Sequence, residues 1–270
     1  MNNNIKKLLI NFVLPAAAIV ILFRRYFLYG IIALILYILY GLYIGKASIY
    51  TIIGSIRYSK GNMEEAIKWL DKAYKSGRAK PTTITSYAYL LLKSGNIQEA
   101  EKILMEQMDK ILSDDDKMNV KSNLALVLWK KGQLDEAINM LEEVFSKYKT
   151  TTIYGSLGYL LILKGDLNKA LEFNLEAYEY NSSNAVIQDN LGQTYFLLGD
   201  YDKSQEIYEK LISTNPSFPE AYYNYGLLLK QKGETDKALE YMKKALNYKF
   251  SFLSTVSREE VEAVINKISG

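Results

Sequence analysis

The sequence contains no cysteine and no histidine. The first absence excludes disulfides, thiol nucleophiles and thiolate metal ligands. The second removes the usual zinc ligand and the only side chain whose unperturbed pKa lies near neutrality. The Asp, Glu, Lys and Tyr that remain show no spacing of a nucleophile with its base, so no enzymatic activity, metal, cofactor or small-molecule substrate is expected. Acidic residues are missing from the front of the chain. Residues 1–45 hold Lys6, Lys7, Arg24 and Arg25 but no Asp or Glu, which leaves 29 basic against 30 acidic side chains in the rest. A body that close to neutral lacks the basic stripe a nucleic-acid binder needs to displace counterions from phosphates. The excess of Lys over Arg, with plentiful Asn, Ile and Tyr, looks like the coding bias of an AT-rich bacterium.

Charge is also missing from two long runs. Residues 8–23 are apolar apart from Asn11 and Pro15, residues 26–45 carry no charge, and only Arg24 and Arg25 stand between them. Twenty helical residues rise roughly 30 Å, the thickness of a hydrocarbon core, whereas the shorter run needs Ile5 and snorkelling of Lys6 and Lys7 to reach it. These runs predict an integral membrane anchor over residues 1–46, a transmembrane helical hairpin with helices at about 5–23 and 26–45. The alternatives are a signal peptide cut after Ala16, Ala17 and Ala18, which would still leave the second run as an anchor, or a single span or re-entrant loop. A hairpin places the N-terminus and residues 46–270 on one side, where Lys6, Lys7, Lys46, Arg57 and Lys60 outnumber Arg24 and Arg25. By the positive-inside rule the bulk of the chain is then cytoplasmic at the cell membrane. A single span would place it outside. Gly41 and Gly45, beside Tyr37, Tyr40 and Tyr43, form a small-xxx-small pair suited to transmembrane packing.

Beyond the anchor one phrase recurs six times: Gly61-Asn-Met-Glu-Glu-Ala66, Gly95-Asn-Ile-Gln-Glu-Ala100, Gly132-Gln-Leu-Asp-Glu-Ala137, Gly165-Asp-Leu-Asn-Lys-Ala170, Gly199-Asp-Tyr-Asp-Lys-Ser204 and Gly233-Glu-Thr-Asp-Lys-Ala238. The glycines lie 34, 37, 33, 34 and 34 residues apart, and seven residues before each stands a small residue: Gly54, Ala88, Ala125, Gly158, Gly192 and Gly226. Each copy therefore reads as two amphipathic helices joined at a Gly that adopts the left-handed cap, with Asn or Asp capping the second helix. The small residues mark close helix contacts.

The period and residue types resemble the tetratricopeptide repeat (TPR) pattern, a 34-residue helix-turn-helix read as W-x2-L-G-x2-Y, then A-x3-F, then P. The fullest copy runs Leu191-Gly192-x2-Tyr195, Ser204-x3-Tyr208, Pro216, then Tyr222-x2-Tyr225-Gly226. Departures are Arg57, Lys121 and Asn174. The resemblance implies an all-α, right-handed TPR-type helical-repeat solenoid with six repeats at 47–80, 81–114, 118–151, 151–184, 185–218 and 219–252. Ser257-x-x-Glu260 opens a capping helix over 257–268, with Val261, Val264, Ile265 and Ile268 on one face. Only Lys46 separates Gly45 from Ala47, so the second membrane helix is expected to continue into the first repeat helix. Asp114, Asp115 and Asp116 suit a helix N-terminus better than a cation site.

The same resemblance implies a protein-interaction adaptor or scaffold that holds a protein or peptide segment in a groove lined by the first helix of each pair. Groove candidates are Asn123, Asn190 and Asn224, with Ser86 and Ser156 at the equivalent positions and Tyr89, Tyr159, Asp189, Gln193 and Tyr223 as exposed neighbours. A ring of basic residues for a carboxylate tail is not apparent, and a groove rich in Tyr and Asn suits a peptide of little net charge. The alternative is a structural or assembly subunit of a membrane complex, docked through the hairpin.

Overall fold

A computed structural model describes residues 5–6, 9–110 and 113–269. Lys7 and Leu8 of the expected first membrane helix, and Ile111 and Leu112 at the end of the expected second repeat, lie outside the described residues. The chain forms two units, Met1–Thr83 and Ile84–Gly270. Both are helical, and no strand occurs among the described residues.

In the first unit the leading apolar run is a short π-helix, Leu9–Val13, followed by α1, Leu14–Arg25. Pro15 explains the change of register: it has no N–H to donate, and its ring obstructs the carbonyl four residues before it, so the preceding turn widens. The run expected as one α-helix over about 5–23 is therefore π-helical at Leu9–Val13 and α-helical from Leu14 to Arg25. Among the described residues one helix is long and apolar enough to cross a membrane, α2, Phe27–Ser59. Tyr26 breaks the helix between them with φ −146° and ψ 84°. The two helices fold back on each other, since the Tyr37 hydroxyl donates to the Asn11 carbonyl at 3.2 Å. Gly30 lies so near Phe23 that a β-carbon there would sit 2.7 Å from its ring.

α2 passes Lys46 without interruption and becomes the first helix of the first repeat. Its second half packs on α3, Met63–Lys75, where a β-carbon at Gly54 would lie 2.9 Å from Leu70. Tyr50 and Trp69 meet beside it with ring centroids 5.6 Å apart. The Asn62 side chain accepts the Glu65 N–H at 3.1 Å and caps α3.

The second unit continues the helix pairs. α4, Pro81–Lys93, enters it from the first unit and pairs in sequence with α5, Ile97–Met108. Then come α6 and α7 (Asp114–Lys130, Leu134–Lys147), α8 and α9 (Thr151–Lys164, Leu167–Tyr180), α10 and α11 (Ala185–Leu197, Tyr201–Ser213), and α12 and α13 (Pro219–Gln231, Thr235–Ala245). All six turn glycines of the repeated phrase have positive φ, from 76° at Gly61 to 92° at Gly95, which is why the phrase begins with Gly. The small residues are close-contact points. A β-carbon at Gly192 would lie 2.8 Å from the Tyr208 ring, and one at Gly226 2.7 Å from Met242. Asp114, Asp115 and Asp116 form the first turn of α6, whose N-terminus Ser113 caps through the Asp116 N–H.

Lys121, set where an apolar residue was expected, pairs with Glu143. Asn174, the other such departure in this unit, lies buried against Gly158, whose lack of a side chain makes room for it. Successive pairs are also linked on their surface by Lys131 to Glu101 at 2.7 Å, Lys164 to Asp135 and Lys232 to Asp202 at 2.9 Å. Such exposed pairs each contribute at most about 1 kcal/mol. The last helix, α14, Arg258–Ser269, has a complete capping box. The Ser257 hydroxyl accepts the Glu260 N–H at 3.1 Å and the Glu260 carboxylate accepts the Ser257 N–H at 2.6 Å. Val261 and Ile265 cover Tyr222, Met242 and Ala245 at the end of the sixth repeat.

Candidate peptide groove

In the second unit the first helices of successive repeats touch one another, α8 against α10 and α10 against α12. These three helices present one continuous face, and α4 and α6 carry the equivalent first-helix positions of the second and third repeats. Along these helices Ser86 is exposed, and Tyr89, Asn123, Ser156, Tyr159, Gln193, Tyr223 and Asn224 are partly exposed. Asn123 donates to the Asn119 carbonyl of its own helix at 2.9 Å.

Asn190 and Asp189 are both buried, which corrects the exposure expected for Asp189. The Asn190 amide donates to the Gly155 carbonyl at 2.8 Å, and the Thr194 hydroxyl donates to the Asn190 carbonyl at 2.7 Å. Thr194 also accepts from Asn174 at 3.1 Å. This network ties α8, α9 and α10 together. A buried amide in it is held by its partners, and losing one would leave an unsatisfied group.

Asp189 joins the next three helices. It accepts from Asn224 at 3.1 Å and from the Tyr208 hydroxyl at 3.2 Å. Burial pushes its carboxyl up from 3.8 to about 7, with the nearby Glu220 charge adding to the effect while the two donors oppose it. The same desolvation drives the Tyr208 hydroxyl well above its usual range.

Sequence reasoning missed what lies on this face. Between α13 and α14 the chain runs back across the first helices of the second, third, fourth and sixth repeats. The Phe252 N–H donates to the Lys93 carbonyl at 3.1 Å, and its ring rests 3.7 Å from the position of a β-carbon on Gly95. The Lys130 ammonium donates to the Ser254 carbonyl at 3.2 Å and lies 4.0 Å from the Trp129 ring centroid and 5.2 Å from that of Phe252. The Thr255 N–H donates to the Glu220 carboxylate at 3.0 Å, and the Thr255 side chain shares a hydrogen bond with the Tyr159 hydroxyl.

Burial lowers the Lys130 pKa, the Glu220 charge partly offsetting it, and raises Tyr159 to about 12. The floor of the face is therefore a set of half-buried polar groups aimed at main chain. The only sequence signal for this segment was its composition, residues 250–257 being without charge between two charged helices.

Comparison with known proteins agrees with this architecture. TPR family models match residues 47–76, 118–152, 192–233 and 219–252. Among solved structures, that of Pseudomonas aeruginosa pilF is similar at 16% identity and TM-score 0.57, over 82% of this chain and 97% of its own. The APC/C hetero-tetramer Cut9–Hcn1 is similar at 13% identity and TM-score 0.66, over 95% of this chain and 46% of its own. At these identities the likeness concerns the fold alone. No curated protein matches the chain in sequence. The matched segments carry tetratricopeptide repeats, and the shared fold is an all-helical repeat array.

Proposed function

We propose that the protein is a membrane-tethered adaptor that holds a protein segment on the face built by α4, α6, α8, α10 and α12. The observation that carries this reading is the set of groups on that face, Lys130, Tyr159 and Glu220, already engaged with a stretch of polypeptide. Groups that hold main-chain carbonyl and N–H can hold those of another chain. The candidate contact set is Ser86, Tyr89, Asn123, Ser156, Tyr159, Gln193 and Tyr223, while Asn190, Asp189 and Asn224 position helices beneath them.

Tethering rests on α2. Its first half exposes Ile32, Leu34, Ile35, Leu36, Ile38, Leu39 and Leu42, an apolar surface that belongs in lipid rather than water. With α1 folded against it, the arrangement suits a transmembrane hairpin and a cytoplasmic repeat array.

A second reading, an assembly subunit docked through the hairpin, is favoured by Gly41 and Gly45. A β-carbon at either would meet no atom of this chain within 4 Å, so a partner helix could approach there. Photo-cross-linking residues placed in the full-length protein in native membranes separate the two. The adaptor cross-links a partner from Tyr89 and Tyr223. Partner cross-links obtained from Leu36 and Tyr40 alone would sink it in favour of the subunit.

A further inference from the structure

The segment between α13 and α14 is held at its ends by Phe250 and Val256, which pack on the cluster beneath α14, while its contacts across the groove are main-chain hydrogen bonds of the kind that bind a ligand. Three are to main chain: Phe252 N–H to Lys93, Ser254 carbonyl to Lys130 and Thr255 N–H to Glu220. Among the described residues the segment supplies the hydrogen-bond partners of both Lys130 and Glu220, two half-buried or buried charges that are not paired with each other. Its conformation is partly its own, a turn in which the Ser254 N–H donates to the Ser251 carbonyl at 2.9 Å and the Ser254 hydroxyl accepts the Ser251 N–H at 3.1 Å. The middle of the segment is not buried. Phe252 keeps 38% of its surface exposed and Thr255 is exposed, whereas Val256 is buried with Tyr222 at the edge of α14.

We propose that residues 250–255 are an intramolecular ligand of the groove, and that the partner which replaces them is an uncharged segment bearing an aromatic side chain in the Phe252 seat. The proposal rests on the adaptor reading above.

Two physical points support it. Within the segment Phe252 is already 38% exposed, so packing there opposes release less than it would for a fully buried ring. Lifting the segment does leave Lys130 and Glu220 without hydrogen-bond partners in a partly desolvated place. Empty charged seats are unfavourable, so the groove favours exchange of one main chain for another over standing open. Because α13 and Val256 anchor both ends, the strap acts as a tethered competitor at an effective concentration on the order of millimolar. A weak partner is excluded, and one that also uses Gln193, outside the strap, gains an advantage.

The test uses the full-length protein in lipid nanodiscs and a fluorescein-labelled synthetic peptide of residues 248–257. Binding is compared between the unaltered chain and a variant in which residues 250–255 are replaced by a Gly/Ser stretch of equal length that leaves α14 attached. The variant should bind the peptide at least tenfold more tightly, and Glu220→Gln in that background should remove most of the gain. Equal affinity for the two proteins, or binding to neither, overturns the proposal.

Should the replacement melt the helices, as read by circular dichroism, Phe252→Ala provides the same comparison. A severalfold gain in peptide binding is expected, and no gain overturns it. Cross-linking yield to the natural partner from Tyr89 should likewise rise in the variant. An unchanged yield defeats the strap proposal and leaves the adaptor reading standing. No partner cross-link from the groove with either protein defeats the adaptor reading itself.

Discussion

The first half of α2 and the whole of α8 are nearly alike in composition and opposite in fate. Both are rich in Ile, Leu, Tyr and Gly, and α8 carries a single charge, Lys164, at its end. In α8, Ile153, Tyr154, Gly155, Leu157, Gly158, Leu160, Leu161 and Ile162 are all buried. In α2 only Gly30, Ala47 and Gly54 are. Composition therefore does not decide burial; the placing of small residues does. Gly155 has Val186 at 3.1 Å and Gly158 has Asn174 at 2.1 Å from where a β-carbon would stand, so helices close around α8. Gly41 and Gly45 have nothing within 4 Å, and the surface around them is left for lipid or another helix.

The most demanding way to break this comparison is to fill the glycines. Gly192→Leu forces a side chain into the Tyr208 ring and should lower unfolding stability by about 3 kcal/mol. Gly41→Leu should shift it by less than about 0.5 kcal/mol. Thermal melts of the two variants in the same detergent check this, and equal losses would erase the distinction.

Protonation sharpens the same contrast, because the buried polar groups belong to the repeat body. The folded Asp189 carboxyl is raised to about 7 from an ordinary 3.8, so the stability it contributes is complete below 3.8 and is lost as pH rises through about 7. Between pH 5 and pH 8 the loss should be about 2 to 3 kcal/mol, from roughly 1.36 kcal/mol per pH unit over that window. Denaturant titrations of the wild type and of Asp189→Asn at both pH values measure it; the variant should be nearly flat in this window.

A smaller effect separates amides that hold helices from side chains that face a partner. Asn190→Ala removes the side-chain donor to the Gly155 carbonyl from a buried network and should cost about 2 kcal/mol of stability, seen in denaturant unfolding. Tyr89→Ala should instead weaken partner cross-linking. The smallest effect concerns caps. Asn62→Ala and Asn96→Ala should each cost about 1 kcal/mol, since both side chains accept an N–H. Gln133→Ala, at a position making no cap bond, should cost almost nothing by the same melts.

What the sequence made legible was everything with a local cause. A Gly at each turn is required by its own positive φ, Asn62 and Asn96 cap the next few residues, and Gly54, Gly192 and Gly226 answer a large residue about sixteen positions on. Continuity of α2 through Lys46 follows from the lack of any Pro or Gly-rich break.

The groove was read less well, for a physical reason. Asn123, Asn190 and Asn224 occupy equivalent positions, yet whether an amide there is covered depends on what the neighbouring helices bring. Asn174 and Thr194 beside Asn190, and Tyr208 beside Asp189, cover that stretch. Position within the repeat carries no record of those neighbours. The strap has no period at all, and its seat is made by residues from Lys93 to Glu220 that come together only on folding.

The account as a whole depends on α1 and α2 crossing the membrane as a hairpin with the repeats on the cytoplasmic side. Because the chain has no cysteine, single substitutions Arg25→Cys and Lys60→Cys can be read without background, using a membrane-impermeant maleimide on intact cells and on inverted vesicles. The account predicts labelling at 25 from outside the cell and at 60 only in inverted vesicles. Labelling at 60 from outside, with 25 reached only in inverted vesicles, would contradict it and place the groove on the other side of the membrane.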